Sequence, residues 1–149
     1  MSDTIAAIAT PIGEGGLTII RFSGTDSLSV ALKLFYTPSG KSIKKLSPNK
    51  AHFGSIHEPT TRKCVDEVVL TWFKNPKSYT GEDVVEISAH GGTFVSSRIL
   101  GLVLDHGARL AEPGEFTRRA FMNGRIDLSQ AEAVADLISA ASDKALQSA

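Results

Sequence analysis

The chain has 149 residues, 42% of them hydrophobic and 21% charged, and its 16 basic residues are balanced by 16 acidic ones. That suits one folded domain, or one domain with part of another, and the zero net charge argues against a self-sufficient nucleic-acid binder, whose affinity for phosphate draws on a basic excess. The single cysteine, Cys64, excludes an intrachain disulfide. No basic segment followed by an apolar one opens the chain, and no run approaches the roughly 20 apolar residues of a membrane span. A cytoplasmic protein is therefore expected.

Residues 4–9 are a short apolar run that predicts a strand, and residues 10–16, with three glycines and a proline, predict a loop. Residues 17–22 are rich in β-branched side chains and predict a second strand, ended by Ser23-Gly24. From 26 to 35, Leu28, Ala31, Leu32 and Phe35 recur at helical spacing, with Ser23 or Thr25 as candidate N-caps. Residues 38–50 carry Lys41, Lys44, Lys45 and Lys50 and predict a solvated surface loop. Residues 51–56 and 67–73 predict strands joined by a hairpin connection at 57–62; a loop over 75–81 and a strand over 84–88 follow. His90-Gly91-Gly92 leads into a helix over 94–104, striped by Val95, Ile99, Leu102 and Val103, with Gly107 as its C′ residue. Residues 108–111 predict a last short strand. Strands and helices mix without regular βαβ alternation, which predicts an α+β fold, a mixed sheet with flanking helices.

The last segment differs in character. Asp127 with Gln130 three residues later is a capping-box pattern. Leu128, Ala131, Ala135, Ile138, Ser142 and Ala145 then recur at spacings of 3 and 4, and the small residues among them favour close helix–helix packing. The helix carries no stop signal and its stripe has no later helix to pack on. The chain is therefore expected to be the N-terminal piece of a longer protein, divided within a helical domain.

Two charges stand where a charge is costly unless paired. Arg21 ends a strand whose same-face neighbours are Leu17 and Ile19; Glu86 interrupts Val84-Val85-Glu86-Ile87. One reading is a structural ion pair. The other is ligand recognition, because a carboxylate accepts two parallel hydrogen bonds from a ring that presents an N–H beside an amino group, as a pterin does. An arginine would then take ring carbonyls or an acidic tail. Arg125, between Gly124 and Ile126, offers a further basic group or is an exposed loop arginine. Glu115 with Arg118 or Arg119 reads as a surface ion pair at helical spacing. Tyr79 reads as packing in its loop, with stacking on a ligand as the alternative. The glycines at 91–92 and in Gly13-Glu14-Gly15-Gly16 could admit a ligand to backbone N–H groups, but glycine pairs at turns are common for conformational reasons alone. No segment has the Gly-x-x-x-x-Gly-Lys-Ser/Thr pattern, so no GTP site of that kind is expected. The four histidines show no metal-ligand spacing and no Ser-His-Asp cue is present.

Ile5 to Pro11 with Gly15-Gly16, Ile20-Arg21 and Ser23-Gly24, then Asp66-Glu67-Val68, the run from Ser78 to Glu86, His90-Gly91-Gly92, and above all the block from Pro113 to Ile138, resemble the tRNA-modification GTPases of the MnmE (TrmE) type. The resemblance covers nearly the whole chain. It implies that residues 1–120 are a folate-binding and dimerising domain, similar to the tetrahydrofolate-binding fold of the glycine-cleavage aminomethyltransferase, and that residues 121–149 begin a truncated helical domain. It implies 5-formyltetrahydrofolate or a related tetrahydrofolate as cofactor, near the contact of a homodimer, with Arg21, Glu86 and Arg125 at the cofactor-contacting positions. Arg125 stands where many relatives have lysine; Ile12 and Glu14 replace a proline and an arginine of the family opening, which removes the basic residue from that loop. GTP, magnesium and potassium would belong to a GTPase domain that this chain lacks, and Cys64 does not match the family's C-terminal cysteine. With a flavin-dependent partner, the full protein would place an aminomethyl-type group on C5 of the wobble uridine of tRNA. The rival readings are a stand-alone folate-dependent aminomethyltransferase and a purely structural dimerisation domain.

Overall fold

The computed structural model describes residues 3–10 and 16–148, with side chains described as far as residue 140. Residues 11–15, most of the expected glycine-bearing loop and including Ile12 and Glu14, lie outside the described residues, as do the side chains of Ser142 and Ala145.

Strands β1 (Thr4–Ile8), β2 (Thr18–Ser23), β3 (Phe35–Tyr36), β4 (Ala51–His57), β5 (Cys64–Phe73), β6 (Val84–Ala89) and β7 (Ala108–Leu110) join in one seven-stranded sheet of order β3-β4-β5-β6-β2-β1-β7. All ladders are antiparallel except β1 with β7. The fold is thus the expected α+β arrangement, a mixed sheet with flanking helices. Helices α1 (Ser27–Leu34) and α2 (Gly92–Asp105) cover one face. Val30, Ala31, Leu34, Ile99, Leu102 and Val103 from these helices pack on Ala6, Ile20, Phe22, Val68, Leu70, Val85 and Ile87 from the strands. This face alternates with period two along each strand, as a half-covered sheet requires. Each fully buried aliphatic or aromatic side chain here stabilises the fold by about 1.5–3 kcal/mol.

Three local readings are adjusted. Phe35 is not the last helical residue: it leaves α1, pairs with Ile56 in the ladder and is buried as an edge-strand residue. Asp26, rather than Ser23 or Thr25, occupies the N-cap of α1. In the lysine-bearing loop, Leu46 turns inward and is buried, while its lysines remain exposed as expected.

The second face of the sheet is unevenly covered. Along β2, Ser23, Arg21 and Ile19 point to it in turn. Ser23 is fully buried under the 74–83 loop, whose Thr80 and Glu82 bond its hydroxyl at 2.7 Å each. Helix α3 (Glu115–Met122) lies beside that loop. At the other end this face is open: in the row Phe53–Val69–Ser88–Ile19, Phe53 is 72% exposed. Arg21 and Glu86 stand in the next row, at the border between cover and opening.

Helix α4 (Leu128–Ser148) begins with the expected reciprocal cap. The Asp127 N–H donates to Gln130 Oε1 at 2.9 Å, and the Gln130 N–H donates to Asp127 Oδ1 at 2.8 Å. Its described apolar residues are largely uncovered, with Leu128 57% and Leu137 70% exposed.

Candidate functional site

The antiparallel register of β2 and β6 sets Arg21 directly opposite Glu86. Their side chains meet with Arg21 Nε donating to Glu86 Oε2 at 2.8 Å, and each is 27% exposed. The ion pair expected from two lone charges in apolar strands therefore forms. It uses one N–H of Arg21 and one lone pair of Glu86. Among the described residues, neither terminal nitrogen of Arg21 nor Oε1 of Glu86 makes a further hydrogen bond. A carboxylate offers about four lone-pair sites and a guanidinium five N–H groups, so most of the pair's capacity is unspent.

Two aromatic rings flank the guanidinium. Tyr79, from the 74–83 loop, and Phe116, from α3, each place a ring centroid 5.7 Å from Arg21 Cζ, within cation–π range. The Tyr79 hydroxyl and Thr117 Oγ1 share a hydrogen bond of 2.8 Å, which joins loop to helix. Tyr79 thus does more than pack in its loop, and it is 40% exposed. A cavity of about 740 Å³ opens here, walled by Ala7 and Arg21 of the sheet, Tyr79, Phe116 and Thr117, and by Val134 and Ile138 of α4. This is the size range of sites for drug-sized molecules and cofactors.

Arg125 is not part of that wall. It is exposed, and its backbone N–H donates to Ala120 O at 2.8 Å. Its stem lies over Gly81, where φ is +81° and an added Cβ would come within 3.3 Å of Arg125 Cγ and 3.0 Å of Asn123 Cβ. The structure therefore joins Arg21 to Glu86 directly and sets Arg125 against the loop that carries Tyr79.

Behind the cavity lies a buried ionic network that the sequence reading missed. Glu115 and Arg119 are 1% and 4% exposed, so this is no surface ion pair, although Arg118, Arg109 and Asp3 around them reach solvent. Arg109 grips Glu115 in a fork of 2.9 and 2.5 Å and also bonds Asp3 at 2.6 Å. Arg119 donates to Asp3 Oδ1 at 2.6 Å, to the Asp3 carbonyl at 2.8 Å, and to Glu82 at 3.1 and 3.2 Å. The Arg109 hydrogen bond pulls the Glu115 carboxyl down to about 2, against the opposing effect of burial, and the Glu112 backbone N–H helps. Arg109 likewise holds Asp3 below the ordinary carboxylate range. Burial works against the Arg119 charge, but Glu82 and Asp3 more than offset it and raise its pKa. The available signal was the i,i+4 spacing of Glu115 and Arg119, which is the same for an exposed pair and a buried one. What buries them comes from segments up to 116 residues away.

The other candidates resolve into packing. Gly91 is required because an added Cβ would stand 2.1 Å from Val95 Cγ2. Ser55 Oγ lies 2.8 Å from His57 Nε2 in a groove of about 670 Å³, but among the described residues no carboxylate orients that imidazole. Among the described residues there is no group of three or more His, Cys, Asp or Glu side chains able to hold a metal, and no helix long and apolar enough to cross a membrane.

Comparison with known proteins adds a family. Residues 4–125 match the family described as the GTP-binding protein TrmE N-terminus. The tRNA modification GTPase MnmE of Geobacillus kaustophilus (strain HTA426) is 55% identical over 144 residues, 97% of this chain and 31% of that protein. Those of Lysinibacillus sphaericus (strain C3-41) and Streptococcus pneumoniae (strain Hungary19A-6) are each 54% identical over 144 residues, with the same 97% and 31% coverage. The chain thus spans about a third of the length of the curated relatives it matches.

Proposed function

This chain belongs to the family of the GTP-binding protein TrmE N-terminus, and from that premise we propose that it is the folate-binding and homodimerising N-terminal part of a tRNA-modification GTPase. Residues 1–120 form the binding and dimerising domain in this reading, and residues 121–149 begin a helical domain. Hydrolysis of GTP, with its magnesium and potassium, belongs to segments that the relatives have outside the region matched here. The full protein works in the cytoplasm with a flavin-dependent partner to modify C5 of the wobble uridine of tRNA. The folate, 5-formyltetrahydrofolate or a close tetrahydrofolate, supplies the one-carbon unit when bound.

The observation that carries the reading is the Arg21–Glu86 pair: Arg21 lines the cavity with two rings beside its guanidinium, Glu86 is bonded to it just outside the cavity wall, and among the described residues the pair uses one hydrogen bond. Glu86 accepts the N–H and amino group on the edge of the pterin, a fork that matches carboxylate geometry. Arg21, already fixed at its Nε, turns its terminal nitrogens to ring carbonyls or to the glutamate tail. Tyr79 and Phe116 supply flat apolar walls of the kind that cofactor sites use around a few polar groups. Arg125 adds positive charge near the loop and draws the acidic tail.

Dimerisation draws support from the open half of the second sheet face. Phe53, one row from the Arg21–Glu86 pair, is 72% exposed, and Leu17, just before β2, is 60% exposed, which leaves apolar surface uncovered there. A second copy laid on this face would cover both residues.

Calorimetric titration with 5-formyltetrahydrofolate tests the site. Saturable binding by the unsubstituted chain, lost in Glu86→Ala with an unchanged circular dichroism spectrum, is expected. Unchanged affinity in that variant overturns the role of Glu86. The dimer is tested separately by sedimentation of Phe53→Asp, which should be monomeric at concentrations where the unsubstituted chain associates.

A further inference from the structure

The sequence block from Glu115 to Met122 forms a helix with two distinct tasks. Phe116 and Thr117 look into the cavity, while Glu115 and Arg119, almost wholly buried, are absent from its wall and face a second cavity of about 540 Å³ together with Glu82. The loop facing α3 is divided in the same way. Tyr79 enters the cavity, whereas Thr80 and Glu82 turn inward, where both bond Ser23 Oγ at 2.7 Å. The two inward sides meet in one contact: Arg119 Nη1 donates to both oxygens of Glu82, at 3.1 and 3.2 Å. Asn123, just beyond α3, adds a bond of 2.8 Å to the Thr80 carbonyl. The loop that carries Tyr79 is thus tied from behind to the helix that carries Phe116.

We propose that Glu82 and Arg119 are positioning residues for the cavity: their buried ion pair fixes the Tyr79 loop against α3, so that the Tyr79 and Phe116 rings stand at the separation that holds the Arg21 guanidinium and admits a flat ring. This rests on the proposed cofactor reading for its ligand, but not for its geometry. Neither residue touches the ligand space that Arg21 and Glu86 present; both act through Tyr79. The arrangement suits that task because both side-chain partners of the Glu82 carboxylate are anchored outside the loop. Ser23 belongs to the interior strand β2, and Arg119 is tied at its other nitrogen to Asp3 beside β1 at 2.6 Å. A shift of Glu82 therefore cannot be absorbed by a loose neighbour, and it reaches Tyr79 three residues away along a loop already pinned by Ser78 Oγ to the Glu82 carbonyl at 2.5 Å.

The experiment is a double-mutant cycle of Glu82→Gln and Tyr79→Ala, read by titration with 5-formyltetrahydrofolate, together with the Arg21 Nε–H resonance of the ligand-free protein. Glutamine keeps the shape and the Ser23 contact but removes the charge that Arg119 grips. Glu82→Gln alone should weaken binding about tenfold, the size of one coupled contact. In the Tyr79→Ala background the same change should cost less than about twofold, because residues acting through one another are not additive. The ring-shifted Arg21 resonance should move in Glu82→Gln toward its position in Tyr79→Ala. Independent, multiplying losses, or an Arg21 resonance untouched by Glu82→Gln, overturn the proposal. If the unsubstituted chain binds no folate, the cofactor reading fails, while the resonance still decides the positioning role. Should Glu82→Gln not fold, Arg119→Lys, which keeps the charge but cannot span Glu82 and Asp3 together, takes its place in the same cycle.

Discussion

Two arginine–carboxylate clusters, both built from residue types that avoid the interior, are used in opposite ways. Around Arg119, Glu115, Arg109, Asp3 and Glu82, every charge has an opposite partner and Glu115 and Arg119 are almost wholly buried. Around Arg21 and Glu86, one hydrogen bond joins the pair and a quarter of each side chain meets solvent. The network joins Asp3, the 74–83 loop and α3 through several bonds per charge, although Arg119 Nε finds no partner among the described residues. The Arg21–Glu86 pair joins two neighbouring strands through a single bond. The number of segments that a charge ties together, more than its exposure, separates the two clusters.

The sharpest test of that contrast is Arg119→Ala. It strands Glu82, whose cation among the described residues is Arg119, while Glu115 keeps its fork with Arg109; breaking one side of a buried ion pair costs about 3–5 kcal/mol. Urea denaturation should show a loss of that order. A loss below about 1 kcal/mol would mean that the network is solvated and the comparison false.

Acid should separate the clusters next. Glu115 titrates at about 2 in the folded chain against 4.5 for its ordinary value. Its folded pKa is depressed, so its contribution is complete above pH 4.5 and is lost as pH falls toward 2. That difference corresponds to roughly 3 kcal/mol at most. Thermal melts across this window should fall steeply in the unsubstituted chain and more gently in Glu115→Gln, which starts from a lower plateau.

At the charge pair itself, Glu86→Gln should change stability by about 1 kcal/mol or less, since partly exposed pairs contribute little. A loss near that of Arg119→Ala would move the pair from the site to the scaffold. The smallest effect is expected for Thr117→Val, which removes the exposed bond to Tyr79; it should cost about 0.5–1 kcal/mol by the same denaturation measurement.

Much of this was legible from the residues. Strand periodicity, the α2 stripe and the Asp127–Gln130 cap are local patterns, and each appears where its spacing places it. Arg21 and Glu86 were legible for a different reason: a charge inside an apolar strand must find a partner, and each was the other's nearest equivalent. Phe35 was misassigned because its fate depends on Ile56, which no helical spacing reports. Glu115 and Arg119 were misassigned because helical spacing brings them together whether or not anything covers them.

The sequence by itself therefore determined most of the strands and helices, the stripe that α2 buries, and that two isolated charges require partners. These depend on neighbours within a few residues or on the cost of an unpaired charge, and both are readable along the chain. Only the tertiary structure decided that Tyr79 and Phe116 both come within cation–π range of Arg21, that Arg125 lies over Gly81 rather than in the cavity wall, and that Glu115 and Arg119 are buried. Those outcomes need segments as distant as Asp3 and Arg119 to meet. Burial is a property of what covers a side chain, and nothing in the residue's own local spacing encodes it.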